Sequence, residues 1–457
     1  MYRIPSIGPV NGSPWRTRAL RLALALASPL AAARPVASQV PAAAPPVLTL
    51  RGVLESVGAH HPAIEAAGAR VRAAAGSRST AGALGNPVLG LQLENAPLPG
   101  RPQPAMDRET MATATLPLEP LYQRGARIHR AAAELRASEA DAAVVRQRVT
   151  LAAVRAFHRT ALAQVVVDAD ADLVAWLDSL VAYNRDRATE GVAAEADLLR
   201  AELERDHAVA QAATHAAELA GVAAALSEFV DASRMSRPAD SVLVRVEVTA
   251  EPLELPAGLS TPSDSALVLP GVRAARERLD ASGAAIGVER TMLVRQLGVM
   301  IGLKESVGTT SFVGGLSLPL PLLDWNRGEI TRRKSERDAA ASDLVAEERA
   351  AAAALAGVAA AARILTERIA ALAQRSASGS PAMLSRADEA RRIALAAYRE
   401  GAVPLFGVLD AAHAWGEARR AYYEALFAQR EAVLTLLSLQ GTDLLSALPP
   451  GEKGPGR

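Results

Sequence analysis

The same order of segments occurs twice in this chain, about 200 residues apart, and that duplication limits its architecture more than any other feature. In the first half, Asn86-Pro-Val-Leu-Gly-Leu-Gln-Leu-Glu94 is a short alternating segment. Glu109–Leu118 follows, ending Leu116-Pro117-Leu118, and a long Ala/Arg/Glu helical pattern opens near Arg124-Gly125. In the second half, Gln296–Leu303 alternates in the same way. Leu318-Pro319-Leu320 then precedes a charged helix opening at Asn326-Arg327-Gly328. Gly125 and Gly328 are 203 positions apart. A second landmark pairs Arg187-Ala-Thr-Glu-Gly191-Val192 with Tyr398-Arg-Glu-Gly401-Ala, the glycines 210 apart. Each unit reads as helix, two strands, long helix, turn, returning helix.

A chain of 457 residues has room for two or three ordinary domains. Its aromatic fraction is 3%, low for filling a large globular core, and its 50% apolar content comes mainly from Ala, which favours closely spaced helices. The net charge of +1 supplies no field to attract nucleic acid or an anionic membrane. Cysteine is absent, which excludes disulfides, thiolate metal sites, Cys nucleophiles and an N-terminal lipidated Cys. Residues 1–33 read as a signal peptide: Arg16, Arg18 and Arg21 precede the apolar stretch Leu22–Ala33, and small residues suited to cleavage follow. A Pro/Ala-rich leader covers 34–48.

Repeat one then spans 49–230, with a helix over 49–84 capped by Thr49 and strands near 86–95 and 109–118. A helical pattern runs from about 121 to 187, with heptad-like apolar spacing at Leu135, Ala142, Val145, Val149, Ala152 and Ala156. Such a helix is about 100 Å long, more than a compact domain needs. It turns at Gly191 and returns over 192–230. Residues 231–263 form a Pro-punctuated connector in which Val242–Val248 has a strand pattern. Repeat two spans 264–447: a helix to 294, strands near 295–304 and 311–320, and a helix from Arg327 interrupted at Ser376–Pro381. That helix resumes to Glu400, turns at Gly401, and returns from Pro404, placed in the first helical turn, to about Leu445. The tail from 448 reads as disordered. A membrane strand needs about 9–11 residues, and all four segments fit.

No catalytic set accompanies this scaffold, and the chain is not expected to be an enzyme. The seven histidines form no metal-binding spacing, and His60-His61 before Pro62 reads as a solvated pair. There is no P-loop, no nucleophile elbow and no dinucleotide fingerprint, so no cofactor and no metal centre is expected.

In order and duplication these segments resemble the TolC-type outer-membrane efflux proteins, also called outer membrane factors, over roughly residues 48–445. Leu48-Thr-Leu50 with His61-Pro62 is similar to the family's opening helix, and Leu318-Pro-Leu-Pro-Leu-Leu-Asp-Trp-Asn-Arg-Gly328 to its second strand-to-helix junction. Asn86-Pro87 and Leu93-Glu-Asn95 look most like the cobalt–zinc–cadmium and copper/silver efflux subgroup. The resemblance implies a mainly α fold with membrane β: a homotrimer closing a 12-strand outer-membrane barrel above a periplasmic α-helical barrel. It implies a passive exit duct for metal ions or drugs, partnered by a periplasmic adaptor (membrane fusion protein) and an inner-membrane pump of the resistance-nodulation-division type. Arg187, Glu190, Gly191, Val192, Arg399, Glu400, Gly401 and Pro404 would be adaptor-docking tips. Asp410, nine residues past Gly401 and about 13 Å along the returning helix, would be the pore constriction. The family often has two acidic residues there; Gly407 stands at the second position, implying a single ring.

Two other readings fit parts of this sequence. A periplasmic coiled-coil scaffold without a pore would use the helices but has no use for duplicated strand pairs. A secreted helical enzyme would need a catalytic set.

Overall fold

The computed structural model describes residues 47–96, 99–101, 106–191, 194–230, 245–255, 269–292, 297–320, 322–374 and 380–448. The expected signal peptide, most of the leader, the tail, Val192 and much of the connector lie outside the described residues.

Two short helices begin the described chain, α1 (Leu50–His60) and α2 (Pro62–Ala81). Thr49 caps α1, its Oγ1 accepting from Gly52 N at 3.0 Å. The single helix expected over 49–84 is broken at His61. Pro62 lacks the N–H that would continue the ladder and holds its predecessor in extended backbone. His61 then caps α2, Nδ1 accepting from Ala63 N at 3.2 Å, and stacks on Phe229 with centroids 5.7 Å apart. His61 is therefore a packed cap, not half of a solvated pair.

Strands β1 (Val88–Glu94) and β2 (Glu109–Pro117) lead into α3 (Glu119–Thr189), whose 71 residues extend about 107 Å. Helix α4 (Glu195–Ser227) returns. The second half supplies α5 (Pro270–Thr291), β3 (Gly298–Ser306), β4 (Thr309–Ser317), α6 (Arg327–Leu372), α7 (Ala382–Arg399), α8 (Leu405–Leu439) and the single turn α9 (Leu444–Ala447). Three expectations change here. Strands β3 and β4 meet through a two-residue turn, Val307-Gly308, both at positive φ, where the sequence suggested a longer loop. Pro404 is the N-cap residue of α8 instead of part of its first turn. Helix α8 stops at Leu439, short of Leu445, because Gly441 at φ +78° closes it with Thr442 N bonded to Leu437 O at 3.0 Å. The strand-like Val242–Val248 contributes, among its described residues, one parallel bridge from Val246 to Leu48.

The four strands form one antiparallel sheet in the order β1-β2-β3-β4. The two repeats join at the β2–β3 seam, where Thr113 faces Gly302. β1 and β4 are both edges.

The helices repeat this order. α3 packs on α2, α4, α5 and α8; α6 packs on α5 and α8, and α7 on α8. Beside the sheet the row runs α2-α3-α5-α6, with α2 and α6 at its margins as β1 and β4 are at the sheet's. Part of α6 is apolar and long enough, by length and composition, to cross a membrane, yet only 17% of that window is buried. Its apolarity is mostly Ala350–Ala362, small side chains that permit close helix approach.

The main core joins both repeats: Val53 and Val57 of α1, Ala153, Val154 and Phe157 of α3, and Val433 and Leu434 of α8. His158 lies inside it, 3% exposed and stacked on Phe427 at 5.5 Å. Neither of its ring nitrogens has a hydrogen-bond partner among the described residues. Burial, with the nearby Arg430 charge, lowers its pKa from 6.5 to about 3.

Candidate pore wall and hairpin tips

Residues directly opposite in the sheet share a face, and alternate residues along each strand change face. One face therefore collects Leu89, Leu91, Leu93, Ala112, Ala114, Ile301, Leu303, Phe312 and Leu316, with Thr110, Glu305 and Thr310 at one end of it. Among the described residues nothing covers it: Leu89 is 82% exposed and Phe312 73%. The other face collects Gln92, Glu94, Glu109, Thr113, Lys304, Ser306, Thr309 and Ser311, with Val88, Met111, Met300 and Val313 among them. There Glu109 pairs with the Lys304 ammonium and accepts from Ser306 Oγ at 2.9 Å, and Gln92 Nε2 donates to Glu94 at 2.7 Å. A largely apolar, exposed face opposite a face with internally paired polar groups is the contrast that the wall of a membrane barrel would present. The sequence exposed the leucines of β1; the polar face needed the register.

At the far end of the long helices, Gly191 and Gly401 adopt φ of +74° and +77°. At the second tip Gly401 N bonds Tyr398 O at 3.0 Å and Ala402 N bonds Ala397 O at 2.8 Å, a Schellman closure that only a left-handed residue completes. The first tip repeats the inner bond, Gly191 N to Ala188 O at 3.1 Å. Glu190, Gly191, Arg399, Glu400, Gly401 and Pro404 are exposed, and Arg187 is half-buried. Val192 lies outside the described residues.

The structure brings the two tips together through Tyr183 and Asn184, which the sequence did not single out, and through Tyr398, Arg187 and Arg399 of the tip landmarks. Tyr398 donates to Asn184 Oδ1 at 2.5 Å, and Asn184, fully buried, donates to Leu180 O at 3.0 Å. The Arg187 guanidinium lies 5.5 Å from the Tyr183 ring and 5.9 Å from Tyr398; Arg399 lies 5.9 Å from Tyr183. Leu177, Leu180, Val408 and Leu409 fill the space behind them. Arg187 thus clamps one hairpin to the other besides facing solvent. In a chain with so few aromatics, Tyr183 and Tyr398 shortly before each tip glycine were the available signal.

Asp410 is exposed, with no hydrogen bond or ion pair among the described residues. Because α8 starts at Leu405, Asp410 stands about 9 Å along the helix from its Pro404 cap, less than the 13 Å expected. Phe406, His413 and Glu417 share its exposed side of α8. Further along α8, His413 and Glu417 line a cleft of about 360 Å³ between α3, α4 and α8, in which His215 Nδ1 lies 2.6 Å from Asp170 Oδ2. Among the described residues no group of three or more acids and histidines is arranged to hold a metal ion.

Residues 263–442 match the sequence model of the outer membrane efflux protein family. No curated protein sequence matches the chain. Solved structures share the fold over most of it. A membrane protein from Pseudomonas aeruginosa aligns with TM-score 0.70 at 19% identity, covering 86% of this chain and 93% of its own. The outer membrane protein VceC from Vibrio cholerae aligns at 0.65 and 19% identity, covering 86% and 96%. The open state of the MtrE outer membrane channel of Neisseria gonorrhoeae aligns at 0.63 and 19% identity, covering 86% and 89%.

Proposed function

We propose that this chain is an outer membrane efflux protein, one subunit of a passive exit duct in a tripartite export system. The observation that carries the reading is the four-stranded sheet: one face mostly apolar and the other richer in polar groups, with the first face bare and both edges unpaired among the described residues, and continuous with helices too long for a compact domain. Unpaired edges in lipid leave backbone groups without partners, so the sheet must close through other copies. The helix row has margins at the matching places, so one set of contacts closes sheet and helices together. Three copies give a 12-stranded barrel above a helical tunnel. A pore-free scaffold leaves the bare sheet face without a use.

The cargo is metal ions or drugs, delivered by an inner-membrane pump of the resistance-nodulation-division type through a periplasmic adaptor. The duct moves it by diffusion. Nothing in the tunnel reacts, and no cofactor is required. Protein purified in detergent should have the native mass of a trimer and form conducting pores in planar bilayers. A stable, fully folded monomer that gives no conductance would sink the proposal.

The tips are the surfaces we assign to the adaptor. Arg399→Glu should weaken adaptor cross-linking while leaving trimer mass unchanged. Arg187→Glu should do the same and also lower thermal stability, since each cation–π contact is worth about 0.5–1 kcal/mol at exposed sites. Unaltered cross-linking in both variants removes the docking role.

Asp410 is the residue we assign to the constriction. Three copies facing one axis near the tips would repel one another and attract cations. Asp410→Ala should lower cation selectivity and weaken block by polyvalent cations in single-channel recordings. Since Gly407 adds no second carboxylate, block of the parent pore should itself be modest. Identical selectivity and block in the variant would place Asp410 off the axis.

A further inference from the structure

We infer that the turn end of the sheet carries a charged ring, built around Glu94, Glu109 and Lys304, that makes the outer mouth of the duct a second selectivity element favouring the exit of cations over anions; this rests on the duct reading above. The charged residues of the four strands are Glu94, Glu109, Lys304 and Glu305. All of them lie at the β1–β2 and β3–β4 connections, the end remote from the long helices. Register puts Glu94 opposite Glu109 and Glu109 opposite Ser306, with Lys304 on the next row of the same face. Glu305 belongs to the other face. From there to Pro117 the polar face carries only uncharged residues, Gly90, Gly298, Gly302 and Gly315 among them. At about 3.4 Å per residue, the charges occupy about 7 Å of a strand about 27 Å long.

These groups are held in place across three strands. The Lys304 ammonium pairs with Glu109, whose carboxylate also accepts from Ser306 Oγ at 2.9 Å. Gln92 Nε2 donates to Glu94 Oε1 at 2.7 Å. Two carboxylates against one ammonium leave each copy with one excess negative charge on this face. Closing the barrel through three copies would set that charge three times around one aperture. Charge is costly on a lipid-facing wall, whereas on a lumen wall it tunes which ions pass. Its field reaches about 10 Å in 0.1 M salt, so the uncharged wall below leaves the mouth as the place where the strands act on an ion. Arg101, Asp107 and Arg108 lie in the β1–β2 connection, outside the strands, and the ladder does not fix them. Asp410 belongs to the opposite end of the molecule, beside the hairpin tips.

The test is the zero-current potential of the full-length pore in planar bilayers under a potassium chloride gradient. Lys304→Met removes the ammonium and should shift that potential further toward the potassium equilibrium value. Glu94→Gln removes one carboxylate at nearly constant shape and should shift it the other way, while Lys304→Arg should keep the parent value. Both shifts should persist in the Asp410→Ala background and shrink as salt is raised. A Lys304 that only ties β2 to β3 predicts lower thermal stability with the potential unchanged. Conducting Lys304→Met and Glu94→Gln pores with the parent's potential overturn the ring. If Lys304→Met does not assemble, Glu94→Gln decides alone, because it leaves the Lys304–Glu109 pair intact. Parent protein that forms no pores overturns the duct reading itself.

Discussion

Gly302→Val should prevent assembly of the sheet and leave the helices formed. A β-carbon at position 302 would sit 2.5 Å from Ala112 O and 2.9 Å from Thr113 Cγ2. The first of these is backbone in the neighbouring strand, and it cannot rotate away. To admit the side chain, β2 and β3 must separate at the one seam that joins the two repeats. Overpacking in well-fitted interiors costs about 1–3 kcal/mol. Here lost ladder bonds are added, and in lipid no water replaces them. Each subunit contributes one such seam, so a closed barrel would contain the defect in every copy. The measurement is the fraction of protein recovered from outer membranes as oligomer, beside its far-ultraviolet circular dichroism. We expect loss of most oligomer with helical signal retained. Gly125→Ala is the control: it lies within α3, a β-carbon there meets nothing within 4 Å, and removing a helical glycine should stabilise by about 0.5–1 kcal/mol. Normal assembly of Gly302→Val would show that the seam is not closed as described.

Much of this architecture is legible in the residues because its determinants are local. Alternation over Val88–Glu94 and Gly298–Ser306 marks strands, and Gly191 and Gly401 mark reversals, since few other residues occupy left-handed backbone at helix ends. Where local chemistry is atypical, the reading shifts. Val307 is β-branched at φ 52°, so Val307-Gly308 does not look like a hairpin turn, and both flanking strands proved longer toward it than their patterns suggested. Of the clamp between the tips, only the tyrosine shortly before each tip glycine was legible. Asn184 and Tyr398 are 214 residues apart, and no periodicity encodes a hydrogen bond between them. The same applies to the polar face of the sheet, which exists only once β2 and β3 are in register. Asp410 is a third kind of case. It is exposed in the single chain, and the direction it would face in the proposed duct would be set by the packing of other copies.

Acid should destabilise the protein chiefly through His158, and His158→Phe should remove that sensitivity. In the unfolded chain this imidazole has its ordinary pKa of 6.5; in the core its pKa falls to about 3. Below the ordinary value the unfolded state binds a proton that the folded state refuses. Stability is therefore complete above 6.5 and declines as pH falls toward 3, by about 1.4 kcal/mol per pH unit. Between about pH 7 and about pH 4.5 the expected loss is about 3 kcal/mol, a large share of ordinary domain stability. The cause is specific: a ring 3% exposed, stacked on Phe427, with both nitrogens unpartnered and Arg430 close enough to oppose a second positive charge. Phenylalanine keeps the stacking partner for Phe427 and removes two buried polar atoms that gain nothing in return, so stability at neutral pH should hold or rise. The readout is the urea midpoint of the helical signal as a function of pH, taken for parent and variant in the same detergent. A variant whose midpoint falls with acid as steeply as the parent's would move the acid-sensitive group elsewhere in the core.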